Sequence, residues 1–383
     1  MQIEVVRGID AVDPAAWDAS APPDDPFTRH AFLAALERSG SAAPEAGFAP
    51  AHLVLRGAEG APRAVAPVYL KSHSWGEYIF DQGWADAARR HRLPYYPKAT
   101  AAIPFTPATG PRLRAAPGDD AARLALWEGL GALSARAGGG AWAVLFAPEA
   151  EARALAAADP RAILRKTYQF HWENEGYRDF DDWLSRFRSK SRKEARRERA
   201  RPAELGVSVV IKEGAAITPA DWAALEAFYR ATVDKKWGQH YLTPDFFTAA
   251  ADTLQAHTLA VLAVDAAGVA VAGALCFRAG RHLYGRHWGC APGYEALHFE
   301  LCYHAPIALC IDRGWSRFEA GAQGHHKLKR GLLPAATWSV HGLAHPGLRA
   351  AVAEAVAAET AAVDAEIASL AAHGPFPRDG GAE

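Results

Sequence analysis

The sequence has a single methionine, at position 1, and only four cysteines, Cys276, Cys290, Cys302 and Cys310. All four fall within 35 residues and no pair is spaced Cys-x-x-Cys, so neither a disulfide framework nor a zinc ribbon is expected. No run of ~18 apolar residues occurs, which argues against a membrane-spanning helix. The opening residues, Met1 to Val6, lack the basic region and apolar core of a secretory signal. A cytoplasmic protein with reduced thiols is therefore expected. Charge of one sign is not in excess either: 42 Lys and Arg face 43 Asp and Glu, for a formal net charge of −1. That balance excludes a uniformly basic nucleic-acid binder and leaves room only for a local basic patch.

What is present is ample apolar material. The 383 residues are 50% hydrophobic and 22% charged, enough for two or three domain cores. Positions 17–39 read as helical. Positions 51–55 and 65–70 alternate like paired strands around Gly57 and Gly60. A proline-punctuated stretch from Tyr95 to Arg112 forbids helix and predicts extended chain. A helix over 120–137 and a buried strand over 142–146 follow. A second unit begins near residue 160. Its expected elements are a helix over 183–201 ended by Pro202, a strand over 207–212, and a helix over 220–236. A hairpin over 259–264 and 270–278, a strand over 282–288, a helix over 297–313 and a strand over 317–320 complete it. A last helix over 348–372 aligns Val352, Val356, Val363, Ile367 and Leu370 on one face. The order is that of an α/β (α+β) protein with two domains, 1–160 and 161–383. The second carries the basic helix 186–201 and the C-terminal helix 348–372.

Three segments carry candidate chemistry. Residues 186–201 hold nine basic and two acidic side chains, a local net of +7 against −8 for the rest of the chain. Arg192, Arg196 and Arg199 share a helical face, with Lys193 and Arg197 beside it, a stripe suited to the phosphates of RNA or of a CoA-type nucleotide. The alternative is a solvated helix whose glutamates pair with its own arginines. Next, six of the sixteen histidines fall between 282 and 326. Glu300 with His304, and His298 with Cys302, are spaced to share a helix face. Without a His-Glu-x-x-His motif or a third ligand, no metal site is expected, although a metal enzyme using these histidines is a competing reading. Pro306 is expected to distort the first turn of that helix. Finally, Glu319-Ala320-Gly321-Ala322-Gln323-Gly324-His325-His326-Lys327 runs from a strand end through glycines into a basic turn, where backbone N–H groups with Lys327 and Arg330 can hold an anion. Its alternative is an ordinary strand-to-helix turn. Glu77 and Asp81, set among aromatics at 75–81, can bind an amine or cap local structure.

These segments carry a resemblance. Trp75-Gly76-Glu77-Tyr78-Ile79-Phe80-Asp81, Tyr96-Pro97-Lys98, Pro104-Phe105-Thr106-Pro107 and Gly110-Pro111-Arg112 resemble the first half of the FemAB-like bacterial N-acyltransferases of the GNAT superfamily, proteins of peptidoglycan biosynthesis or recognition. Gln169-Phe170-His171-Trp172, the basic helix, Tyr284-Gly285-Arg286, Trp288-Gly289, Leu297-His298-Phe299-Glu300 and Glu319 to Gly324 continue the likeness, over roughly residues 50 to 375. It implies two tandem GNAT-like domains, each a mixed twisted sheet flanked by helices. It also implies acyl transfer from an aminoacyl-tRNA or an acyl-CoA to an amine, with no covalent enzyme intermediate. Two positions depart from the family pattern: His325 stands where glutamate is usual, and His304-Ala305 follow Cys302-Tyr303 where Tyr-Gln is usual.

The expectation is thus a transferase that binds a small-molecule amine, from cell-wall or natural-product chemistry, with an RNA-borne donor preferred over acyl-CoA and no tightly bound cofactor. His325 or Glu300 is expected as general base, and Lys327 and Arg330 as holders of the donor carbonyl or a phosphate. Tyr284, Arg286, His287, Trp288, His304 and Gln323, with Glu77 and Asp81, are expected to line the acceptor pocket. Arg192, Lys193, Arg196 and Arg197 are expected on donor phosphates. A non-catalytic RNA- or precursor-binding protein on the same scaffold is the alternative from another functional class.

Overall fold

The computed structural model describes residues 2–57, 60–236, 240–322 and 324–377. Its contacts group residues 1–168 with 336–365 as one unit, and 169–335 with 366–383 as the other. The sequence-based boundary at 160 places the C-terminal helix with the second half. The structure assigns most of Pro346–Ala372 to the first unit, because residues 338–343 pair antiparallel with Ala141–Ala147 and the helix follows directly. Leu348, Val352 and Val356 of that helix are buried against Ala88, Tyr95, Ala141 and Ile163.

In the first unit Gln2–Val6, His52–Arg56, Pro62–Ala66 and Arg114–Ala115 form an antiparallel sheet. A second array runs Phe48–Pro50, Val68–Lys71, Lys98–Ala101, Ala141–Ala147, with Lys98–Ala101 and Ala141–Ala147 parallel. A parallel neighbour needs a crossover, and the Asp120–Arg136 helix supplies it. Asp119 caps that helix by accepting from the Ala122 N–H, and Leu126, Trp127, Leu130 and Leu133 bury one face of it in the core. The expected helix over 17–39 is two short ones, Pro14–Asp18 and His30–Arg38. Pro22, Pro23 and Pro26 between them forbid a continuous ladder.

The second unit orders its strands Ser208–Glu213, Thr258–Val264, Ala270–Ala279, His282–Cys290, Arg317–Glu319 and then residues 171–173 of Ile163–Glu173. His282–Cys290 and Arg317–Glu319 run parallel, and their pairing lasts three residues, from His282–Arg317 to Tyr284–Glu319. Beyond that point the chain leaves the sheet through Ala320 and Gly321, while the His282–Cys290 strand continues. The basic segment also divides, into Phe180–Ser185 and Ser189–Glu204, and Pro202 is tolerated in the final turn rather than ending the helix.

Candidate active site

The carboxyl ends of adjacent parallel strands, where they part, are the usual seat of a ligand in an α/β sheet. Here that point lies after Tyr284 and Glu319. A bulge places Arg286 as the extra residue of its strand, since Leu275 pairs with His287 and Cys276 with Gly285. The crossover from this strand begins with a turn over Glu295–Leu297 and a π-helix over Glu300–His304 before the Ala305–Asp312 helix. Pro306 explains the wide turn: it has no N–H to donate to the Cys302 carbonyl, so the ladder cannot keep its α spacing there.

The π-turn aims Glu300 at the Ser189–Glu204 helix. Glu300 is 4% exposed. Its nearest cation, Arg199 Nη1, is 3.7 Å from Oε1, beyond a hydrogen bond, and Oε2 is buried without a partner among the described residues. Burial pushes the carboxyl up to about 7, opposed by Arg199 and reinforced by Glu198. Arg199 lies over the Phe180 ring at 4.1 Å, and its Nη1 makes no hydrogen bond among the described residues. Such unmet buried groups cost on the order of 1–3 kcal/mol each, so their retention points to function. Glu198, one residue earlier, is fully engaged. It accepts from Arg330 Nε at 3.0 Å and Nη2 at 2.5 Å, and it meets His304 Nε2 at 2.7 Å. Arg330 also covers the Phe299 ring at 3.3 Å and donates to the His326 carbonyl.

Beside this cluster, Lys327 is 2% exposed and donates from Nζ to the Gly321 carbonyl at 2.6 Å. Gly321 has a φ of +83°, a left-handed turn that favours glycine. Burial lowers the Lys327 ammonium to about 7, with Arg286 adding to the effect and Cys302 opposing it. An aromatic group of Trp288, His298, Phe299, Tyr303 and His326 adjoins. The Trp288 and His298 rings are 5.0 Å apart, and Tyr303 Oη is 2.8 Å from His326 Nε2. A base with a pKa near neutrality, a second amine poised near 7 and an aromatic wall together suit proton removal from an ammonium nucleophile.

The FemAB_like family model, described as peptidoglycan biosynthesis/recognition, matches residues 8–378. The chain belongs to the FemAB-like family. Solved structures share its fold at low identity. A conserved protein of unknown function from Bacteroides thetaiotaomicron superposes with a TM-score of 0.54 at 12% identity, over 90% of this chain and all (100%) of that one. The C-terminal domain of an Agrobacterium fabrum protein assigned as a lysylphosphatidylglycerol synthetase gives 0.52 at 11%, over 90% and 96%. A FemX structure gives 0.51 at 10%, over 92% and 100%. No curated protein matches the sequence. The mixed α/β architecture expected from the sequence, with twisted mixed sheets flanked by helices, is the one observed.

Within this FemAB-like chain the structure sorts the expected site residues. Arg286, Trp288, Glu300, His304, Lys327 and Arg330 lie in the contacts just described, and Tyr284 is buried at the strand divergence. His287 does not face Trp288: strand alternation turns it toward Tyr229, ring to ring at 5.1 Å, and burial with Arg286 holds its imidazole down at about 3. His304 is fully buried on Glu198, a tie between elements rather than a pocket wall. Arg330 spends its guanidinium on Glu198 and the His326 carbonyl, which leaves it no phosphate-holding role. His325 is exposed, its ring 5.9 Å from Phe170. Gln323 lies outside the described residues.

Glu77 and Asp81 are buried in the first unit, and the amine they meet is Lys98, 2.6 Å from each. On the basic helix, Lys193, Arg196 and Arg197 are exposed, with no ion pair among the described residues, whereas Arg192 donates to the Ser185 and Phe187 carbonyls. Sequence reasoning missed Glu198 as a buried anchor and gave His171 and Glu319 no role. A helical wheel that puts Ala195, Glu198 and Pro202 on one face marks Glu198 as inward.

Proposed function

We propose that the protein is a GNAT-type acyltransferase that moves an acyl group from a tRNA-borne donor to an amine of a cell-wall precursor or related small molecule. The observation that carries this reading is the two-sided Ser189–Glu204 helix. Its outer face offers Lys193, Arg196 and Arg197 unneutralised to a polyanion, and its inner face sends Glu198 and Arg199 into the cluster around Glu300. Glu204 pairs with Arg201 on the same helix, but Glu198 is turned inward, away from the exposed Lys193, Arg196 and Arg197. The start of the crossover helix supports the same donor. There Glu295 accepts from the Gly293 N–H at 3.1 Å, which puts a carboxylate where a CoA pyrophosphate would seek backbone N–H groups.

In this mechanism Glu300 takes the proton from the acceptor ammonium as the free amine attacks the donor ester carbonyl. Lys327, in its protonated form, stabilises the developing oxyanion together with the backbone after Glu319. As the tetrahedral adduct collapses, the C–O ester bond breaks and the proton shed by the attacking nitrogen passes to the leaving oxygen, so the tRNA departs as its free alcohol. The test is transfer of labelled amino acid from a charged-tRNA pool, with acyl-CoA thioesters and peptidoglycan-precursor peptides run in parallel. Amide formation from charged tRNA is the expected outcome. Turnover only with acyl-CoA moves the donor assignment, and no transfer from either refutes the reading.

A further inference from the structure

Two buried carboxylates, Glu198 and Glu300, stand close enough that the charge of Glu198 raises the proton affinity of Glu300. The cations around them are shared unequally. Arg330 gives Nε and Nη2 to Glu198 and Nη1 to the His326 carbonyl, so each of its three guanidinium nitrogens is engaged. His304 adds a third bond to Glu198, at 2.7 Å. An ionised carboxylate can only accept, so the hydrogen of that bond is on Nε2. Against burial, these two partners hold the Glu198 carboxyl below its ordinary value. Glu300 receives no such bond: Arg199 stops at 3.7 Å, and Oε2 is unmet among the described residues.

Arg330 is nonetheless a neighbour of Glu300. Its guanidinium carbon lies 3.3 Å from the centre of the Phe299 ring, and Phe299 immediately precedes Glu300. The backbone of Arg330 has little room to retreat, because a Cβ on the next residue, Gly331, would lie 2.6 Å from Trp183 and 2.9 Å from Phe187. The other groups packed on the Glu300–His304 turn are already committed. Lys327 donates to the Gly321 carbonyl, His326 meets Tyr303, and Arg199 lies on the Phe180 ring. Burial keeps the Cys276 and Cys310 thiols protonated. We propose that Glu198 is a positioning residue that holds Arg330 away from Glu300 and so leaves Glu300 free to take the proton of the acceptor amine. The proposal rests on the reading of Glu300 as the general base. A guanidinium released from Glu198 would find in Glu300 a buried carboxylate short of donors, and the charge-assisted pair formed there would make Glu300 a weaker base. Burying a second carboxylate beside the first is costly, and the return is base strength at Glu300.

The test reads the Glu300 proton directly and needs no acyl donor. In protein labelled with 13C at the glutamate carboxyl, the Glu300 signal is identified by its loss in Glu300→Gln. In Glu198→Gln its midpoint is expected to fall from near 7 by about 1–3 pH units, as for a carboxylate that gains an arginine. In the double variant Glu198→Gln, Arg330→Gln it is expected to return to near 7, because the competing cation is gone. Should Glu198→Gln not fold, Glu198→Asp takes its place. Its carboxylate is too short to hold Nε and Nη2 together, and a smaller fall is expected. A midpoint that stays near 7 in the folded Glu198 variant, or that stays low in the double variant, overturns the proposal. In transfer assays the acid limb of kcat/KM is expected to follow the same shifts. Shifts of the Glu300 midpoint without any transfer refute the reaction and leave the arrangement of Glu198 and Arg330 standing.

Discussion

Two buried carboxylate clusters, one in each unit, are built on opposite principles. In the first unit Lys98 sits 2.6 Å from both Glu77 and Asp81 and donates as well to Ser74, while Tyr95 donates to Asp81. Burial would raise Asp81, yet Lys98 and these hydrogen bonds hold it at about 2. Burial would lower Lys98, yet the two carboxylates raise it. In the second unit Glu300 has, among the described residues, one cation at 3.7 Å and no hydrogen bond on Oε2, and a pKa of about 7. Neutralised charge holds a fold together, and charge left short of a partner is available for chemistry. Acidic residues among aromatics look alike in sequence in the two units, and only the placement of Lys98 separates them.

The comparison breaks most visibly at Lys98. Lys98→Met leaves two buried carboxylates without their cation and is expected to destabilise the protein by about 3–5 kcal/mol, read by denaturant unfolding. Glu300→Gln is expected to do the reverse for the fold while removing activity. Turnover falls at least ~100-fold, as for a lost general base, with far-UV circular dichroism unchanged. The pH dependence sharpens this contrast. Because the folded-state pKa of Glu300 is raised, its favourable contribution is complete below the unfolded value and is lost as pH rises through about 7. Glu300→Gln is therefore expected to stabilise the protein at pH 8 by on the order of 2 kcal/mol, a gain that vanishes below about pH 4.5. Smaller effects are expected at the periphery. Lys193→Glu, Arg196→Glu and Arg197→Glu together weaken tRNA binding and flatten the slope of log K against log salt by about 2–3, without changing Tm. His325→Ala, at an exposed imidazole, changes turnover less than ~3-fold, and a larger loss assigns that ring a part in the reaction.

Periodicity and punctuation made much of the second unit legible. The hairpin over 258–279, the strand ending at Cys290 and the helix over 219–236 fall close to their expected places, because turn residues and apolar alternation agree there. A distorted first turn was expected at Pro306, and the distortion is a π-turn. Two long strands, Ile163–Glu173 and Leu333–Leu343, were not legible, since each mixes buried and half-buried positions without clean alternation. The site was read in part. Glu300 and Lys327 could be named from their segments, but the inward turn of Glu198 and the pairing of His171 with Glu319 depend on contacts 106 and 148 residues apart in sequence. His287 was misplaced for a local reason: the bulge at Arg286 shifts the strand's alternation by one residue.

The central claim concerns a single proton. In protein labelled with 13C at the glutamate carboxyl, signals of Glu151 and Glu300 are expected to titrate with midpoints near 7, and the one missing in Glu300→Gln is that of Glu300. If that signal instead titrates below about pH 5, in the ordinary carboxylate range, Glu300 is as well neutralised as Asp81, and the distinction between the two clusters fails.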